Sequence, residues 1–162
     1  SITEQWDFWQ LMDHSLGVLP MNHTNQLKFY GFYQLNPEWQ VSTNVFIQSG
    51  APADCLGQFG PGESDPYGYG SAYHWCGGVP TPPGTTGNTP WTHQVALGLT
   101  YTPAWAQHKL AFNLSVQNLL NNQTVTQYFP GYGTTNSPSA TYHLEQGLVA
   151  PRLWRLEASY NW

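Results

Sequence analysis

Positive charge is almost missing from this chain. Lys28, Lys109, Arg152 and Arg155 are its only Lys and Arg residues in 162. Charged residues of both signs make up 8%, against about a quarter in an average soluble domain. With a net charge of −5 there is no basic footprint for a polyanion, which argues against a nucleic-acid partner. Long apolar runs are missing too. Nothing approaches the roughly 18 consecutive apolar residues of a membrane helix. That removes a helical span and leaves a β-barrel open, because barrel strands alternate.

Motifs of group-transfer chemistry are also lacking. No nucleophile elbow surrounds any Ser, and no phosphate-binding or dinucleotide fingerprint occurs. "GPGESDPYGYG" is glycine-rich but does not lead from a strand into a helix. The six histidines are scattered. The reading is therefore of a protein that is not an enzyme and needs no cofactor. The opening residues do not read as a signal peptide, and none is expected within them. The chain begins at Ser1, and the expectation is a processed or cut end.

What the chain has is aromatics, at 15%, and turn formers, with 16 Gly and 13 Pro. It also has period-two alternation, five times over. In the first stretch Leu27, Phe29, Gly31, Tyr33 and Leu35 share a face. After "NPEW", Trp39, Val41, Thr43, Val45 and Ile47 do the same. Then come Val95, Leu97, Leu99 and Tyr101, followed by Leu110, Phe112, Leu114 and Val116. The last stripe is Trp154, Leu156, Ala158, Tyr160 and Trp162. The spacing predicts strands over about 25–35, 39–49, 91–101, 108–119 and 152–162. Long loops are predicted over about 51–90 and 121–150, and the first 23 residues fit the tail of another.

Connections thus alternate short, long, short, long. Strands joined by short turns are antiparallel neighbours. Loops of this length are rare in compact soluble domains, whereas outer-membrane barrels pair short periplasmic turns with long extracellular loops. Nine residues from Leu27 to Leu35, at about 3.3 Å each and a tilt near 40°, cover roughly 23 Å. The apolar band of such barrels is about 25 Å tall.

Trp39, Tyr101, Trp105, Tyr160 and Trp162 fall at the level of the short turns, where a lower interfacial girdle belongs. Trp91 and Trp154 suit an upper one. The stripes carry no charge in their middles, while Lys28, Lys109, Arg155 and Glu157 point to the other side. A soluble sandwich also alternates. Girdle, loop asymmetry and charge-free stripes together favour an all-β transmembrane barrel.

Several stretches, read in order, resemble a known family. They are "GVLPMNHTNQLKFYGFYQLNPEWQVSTNVFIQSGAPADCLG", "DPYGYGSAYHWC", "TPWTHQVALGLTYTP", "FNLSVQNLLNNQTVTQY" and "PRLWRLEASYNW". The series resembles the C-terminal barrel portion of TonB-dependent outer-membrane receptors of the Oar-like, OmpA-related branch. The resemblance implies a 22-stranded barrel with an N-terminal plug, energised through the TonB complex. It implies a bacterial outer-membrane location with extracellular loops, and a terminal strand ending on Trp162 that the barrel-assembly machinery reads. This chain has five strands and no plug, and bare strand edges are not tolerated in lipid. The expectation is a C-terminal fragment whose partners are outer-membrane lipid and the remaining strands and plug.

Cys55 and Cys76 are expected to be disulfide-bonded, stabilising their loop by about 3 kcal/mol in the entropy model. The alternative is two free thiols. With His74 they supply three of the four ligands that structural zinc normally takes, but at no zinc-like spacing. Asp54, Glu63 and Asp65 match no EF-hand pattern. The ligand-contact candidates are Tyr67, Tyr69, Tyr73, Trp75, Tyr128, Phe129, Tyr132 and Tyr142, since loop Tyr and Trp give rigid amphipathic contacts. Self-packing of the loops is the competing account. The functional expectation is barrel wall and outer loops for uptake of a peptide or other large nutrient. The alternatives are an outer-membrane adhesin or structural surface protein on the same scaffold, or a soluble carbohydrate-binding sandwich.

Overall fold

The computed structural model describes residues 4–162. The chain is all-β, with almost no helix, and it divides into two compact units. The sheet unit comprises Asn25–Ser49, Trp91–Thr124 and Val149–Trp162. The loop unit comprises the segment up to Thr24, Gly50–Pro90 and Val125–Leu148.

Five strands build the sheet unit: β1 Gln26–Asn36, β2 Trp39–Gln48, β3 Thr92–Tyr101, β4 Leu110–Gln117 and β5 Leu153–Tyr160. All neighbours are antiparallel, and their order in the sheet is their order in the chain. The sheet is open, with β1 and β5 each paired on one side only. Sequence spacing placed every one of these strands within two residues at each end. The ends of β4 are shorter than expected for a local reason. Gln107 and His108 before it, and Asn118 after it, have left-handed φ values of 53°, 59° and 49°. A strand cannot continue through such backbone.

Side-chain caps shape the short turns. Asn36 Oδ1 accepts from the N–H groups of Glu38 at 2.9 Å and Trp39 at 3.0 Å, the Asx-type closure that Asn favours. Glu38 then ties the two turns together. Its carbonyl accepts from Thr102 N–H at 2.7 Å, and its carboxylate from Ala104 N–H at 2.6 Å.

The loop unit is folded, which alternation could not foretell. A 3₁₀ turn at Glu4–Trp6 and one helical turn at Trp9–Met12 lead into it. Leu56–Gly57 pairs in parallel with Gly131–Gly133. Trp75–Cys76 pairs with Val79–Pro80, and Val125–Tyr128 with Glu145–Leu148. Its core is Leu11, Tyr73 and Trp75, with Phe59, Tyr69 and Ala72 packed around them. Cys55 and Cys76 are disulfide-bonded, with α-carbons 5.6 Å apart.

Candidate functional site

Register decides what the sheet can do. A period-two stripe is only useful if neighbouring strands agree on its direction, and a one-residue slip would invert it. Here all five agree. Tyr33, Val41, Leu99, Leu114 and Leu156 form one continuous row across the sheet. Gly31, Thr43, Leu97, Val116 and Trp154 form the next. The face they make is apolar, and much of it is bare: Tyr33 is 70% exposed and Leu156 74%. Val116 is the buried exception.

The opposite face carries polar contacts within and across strands. Thr100 Oγ1 donates to Asn113 Oδ1 at 2.5 Å. Arg155 pairs with Glu157 two residues on, and the Lys28 ammonium lies 5.4 Å from the Phe46 ring centre. Tyr30 and Phe32 are also exposed, so this face is mixed rather than purely polar.

The girdle candidates gather at the short-turn end of the sheet. Trp39 is in register with Tyr101, and their rings stack at 4.4 Å. Tyr101 continues to Phe112 at 6.4 Å. Tyr160 is in register with Leu110, at the start of β4. Trp105 lies in the 3₁₀ turn Ala104–Ala106, and Trp162 follows the end of β5. Trp105, Tyr160 and Trp162 are exposed.

The eight loop aromatics separate into groups. Tyr73 and Trp75 are buried in the loop-unit core, and Tyr69 packs against it, so the first two present no face to a ligand. Tyr67 stacks on Phe8 at 3.8 Å, and Tyr128 on His143 at 4.2 Å. Tyr132 meets Tyr142 edge-on at 5.1 Å. Phe129 is partly exposed. Self-packing therefore accounts for most of this set.

Asp65 organises the loop around Tyr73, a role that sequence reasoning missed. The signal was present, since an Asp ahead of a glycine-rich turn commonly bonds the amides that follow it. Its carboxylate accepts from Tyr69 N–H, Gly70 N–H and Tyr73 O–H, each at 2.9 Å. Burial pushes its carboxyl up. The Gly70 amide, the Tyr73 hydroxyl and the Tyr69 and Gly68 amides outweigh that and hold it below the usual carboxylate range. The Tyr73 phenol is pushed up to about 12, by burial first and by Asp65 second.

A carboxyl with a lower pKa folded than unfolded adds stability at neutral pH. That stability fades as pH falls through the folded value. The loop unit should therefore loosen below about pH 4. Near-ultraviolet circular dichroism across an acid titration will read this, and Asp65→Asn should flatten the acid step. An unchanged titration in that variant would assign the step to another carboxylate.

Three more acidic side chains of the loop unit serve as acceptors. Glu63 takes bonds from the Thr135 amide at 2.6 Å and from its hydroxyl. Asp7 accepts from Tyr69 O–H at 2.6 Å, and Asp13 from Trp75 N–H at 3.3 Å. The calcium trio is thus divided: Glu63 and Asp65 belong to separate networks. The zinc set of His74, Cys55 and Cys76 loses both thiols to the disulfide. Among the described residues no three His, Cys, Asp or Glu side chains converge as a metal site would require.

Charge is divided between the units. The loop unit holds seven of the nine acidic residues and no Lys or Arg, a formal charge of −7. The sheet unit holds all four cations and two acids, a formal +2. No family model, no curated protein and no solved structure matches this chain.

Proposed function

We propose that the chain supplies wall and outer loops to an outer-membrane receptor of the TonB-dependent, Oar-like type, taking up a peptide or other large nutrient. One observation carries the reading. Five stripes combine into one bare apolar face, with aromatics gathered at its turn end. A contiguous apolar surface of this kind is a liability in water and marks a contact with lipid or protein. Lipid suits it because aromatic rings flank the apolar rows at the level of the turns. The unpaired edges of β1 and β5 then require further strands, since backbone groups in hydrocarbon must be bonded. The two-faced sheet, its short turns and a separately folded loop unit are the parts such a receptor wall would use.

The test is periodic accessibility. Nitroxide side chains are placed singly at positions 110 to 116, with the chain assembled into outer-membrane lipid vesicles together with the strands that complete its wall. The native cysteines are bonded to each other and will not take the label. Oxygen collisions should peak at 110, 112, 114 and 116, and a water-soluble nickel chelate should peak at 111, 113 and 115. Equal access to the chelate on both faces would sink the membrane reading. Within that reading, uptake that stops when the proton gradient is collapsed marks a TonB-driven receptor, and surface attachment without such uptake marks an adhesin.

A further inference from the structure

Among the described residues His74 is the only buried histidine, at 3% exposed. It stands in the loop-unit core, between Tyr73 and Trp75 and two residues ahead of the bonded Cys76. Its Nε2 is sealed from solvent and meets no hydrogen-bond partner among the described residues. A neutral imidazole carries one N–H, whereas the imidazolium carries one on each nitrogen. A proton taken up in place would therefore make Nε2 a charged donor with no acceptor, and a buried group in that condition is costly. The neutral ring suits this site and the charged ring does not.

The surrounding groups do not offset such a charge. On its own segment Tyr73 keeps its phenolic proton, and Cys76 is bonded to Cys55. The opening segment brings His14, whose ring lies edge-on to Trp75 at 5.1 Å and whose charge opposes a second one on His74. Asp13, the neighbouring carboxylate of that segment, is engaged by His14 Nδ1 at 3.1 Å and by the Trp75 indole at 3.3 Å. Asp65 is engaged by the Tyr73 hydroxyl and the Tyr69 and Gly70 amides. Asp54, next to Cys55, accepts from the Gly84 amide and does not act on the ring. Burial first, and His14 second, hold the His74 pKa below the ordinary histidine value.

The opening segment joins this core with little backbone structure of its own. A single helical turn, Trp9–Met12, delivers Leu11 to Tyr73 and Trp75, and so short a helix has almost no stability in isolation. We propose that protonation of His74 releases this segment from the Tyr73 and Trp75 core, so that the loop unit opens locally in mild acid. A histidine whose pKa is lowered in the closed form stabilises that form fully above about pH 6.5. The stabilisation is lost as pH falls from there towards the lowered value. This window starts well above the Asp65 step, which belongs to carboxylates near pH 4. The switch concerns the loop unit alone, goes beyond the receptor reading and does not depend on it.

The experiment is residue-resolved amide hydrogen exchange on the full chain, disulfide intact and in detergent. Rates are converted to protection factors, which removes the pH dependence of exchange itself. The reporters are the amides of Leu11, Asp13 and Ser15, bonded to the carbonyls of Phe8, Trp9 and Met12. Their protection should fall about three- to tenfold between pH 7.5 and 5.5, the range for uptake of up to one proton on opening. The amides of Phe129 and His143, bonded to Leu144 and Phe129 in another part of the same unit, should keep theirs. His74→Phe, which fills the site without titrating, should leave the reporters flat over this range. Constant protection in the native chain overturns the proposal, as does an equal fall in His74→Phe. A parallel fall at Phe129 and His143 overturns it too, because the whole unit would then be unfolding. If His74→Phe does not fold, His74→Gln takes its place. If neither folds, the ring-proton shifts of His74 in the native chain decide, and a midpoint at or above about pH 6.5 overturns the proposal.

Discussion

Tyr73→Ala should destabilise the loop unit by about 3–5 kcal/mol, the range for emptying a large aromatic site in a packed core. Tyr73 is fully buried and is the largest such side chain. Its ring stands 5.8 Å from Phe59 and shares a core with Leu11 and Trp75. Its hydroxyl is one of the donors held by the Asp65 carboxylate. Truncation would therefore open a cavity and strip a charged acceptor of a partner in one step. Tyr73→Phe separates the two losses. It keeps the ring and forfeits only the bond to Asp65, for about 1.5–3 kcal/mol. Urea unfolding followed by near-ultraviolet circular dichroism, with the disulfide intact, measures both. A smaller loss in the Ala variant than in the Phe variant would mean that the ring does not hold the loop core.

Leu114→Arg has the second largest expected effect, and its sign tests the proposed setting. Leu114 lies mid-strand on β4, between Leu99 on β3 and Leu156 on β5. On the lipid face near the mid-plane an Arg costs about 2–4 kcal/mol. The variant should fail to assemble into lipid vesicles, or should do so with sharply reduced yield and stability. Asn113→Arg is the matched control. Asn113 sits on the opposite face, beside Thr100 and opposite Glu157, and should tolerate the charge. Leu114 is already partly exposed. If its face met only water, Leu114→Arg would be harmless and even solubilising. Equal behaviour of the two variants would remove lipid from the account of this sheet.

The two predictions address parts of the molecule that were unequally legible in the sequence. The stripe of Leu110, Phe112, Leu114 and Val116 could be read directly, because a strand's faces follow from a period of two and need no knowledge of distant residues. Tyr73 could not be ranked against Tyr67 or Tyr132 in the same way. All three sit in loop sequence rich in Gly and Pro, with no periodicity to say which ring points inward. Tyr73 is buried because Leu11 comes to it from a distant part of the chain and Asp65 captures its hydroxyl. The opening segment read as loop tail for the same reason, since a single helical turn at Trp9–Met12 leaves almost no pattern.

The sequence by itself determined the all-β class, the positions of the five strands, their antiparallel pairing across short turns, and which side chains share a face. Those properties are local, and alternation and turn chemistry encode them residue by residue. Only the tertiary structure decided that the five faces coincide in register, that the acid-rich loops form a unit with its own core, and that Asp65 gathers its donors around Tyr73. Each of these depends on residues far apart in the chain meeting at hydrogen-bond or van der Waals range, and no local pattern records such a meeting.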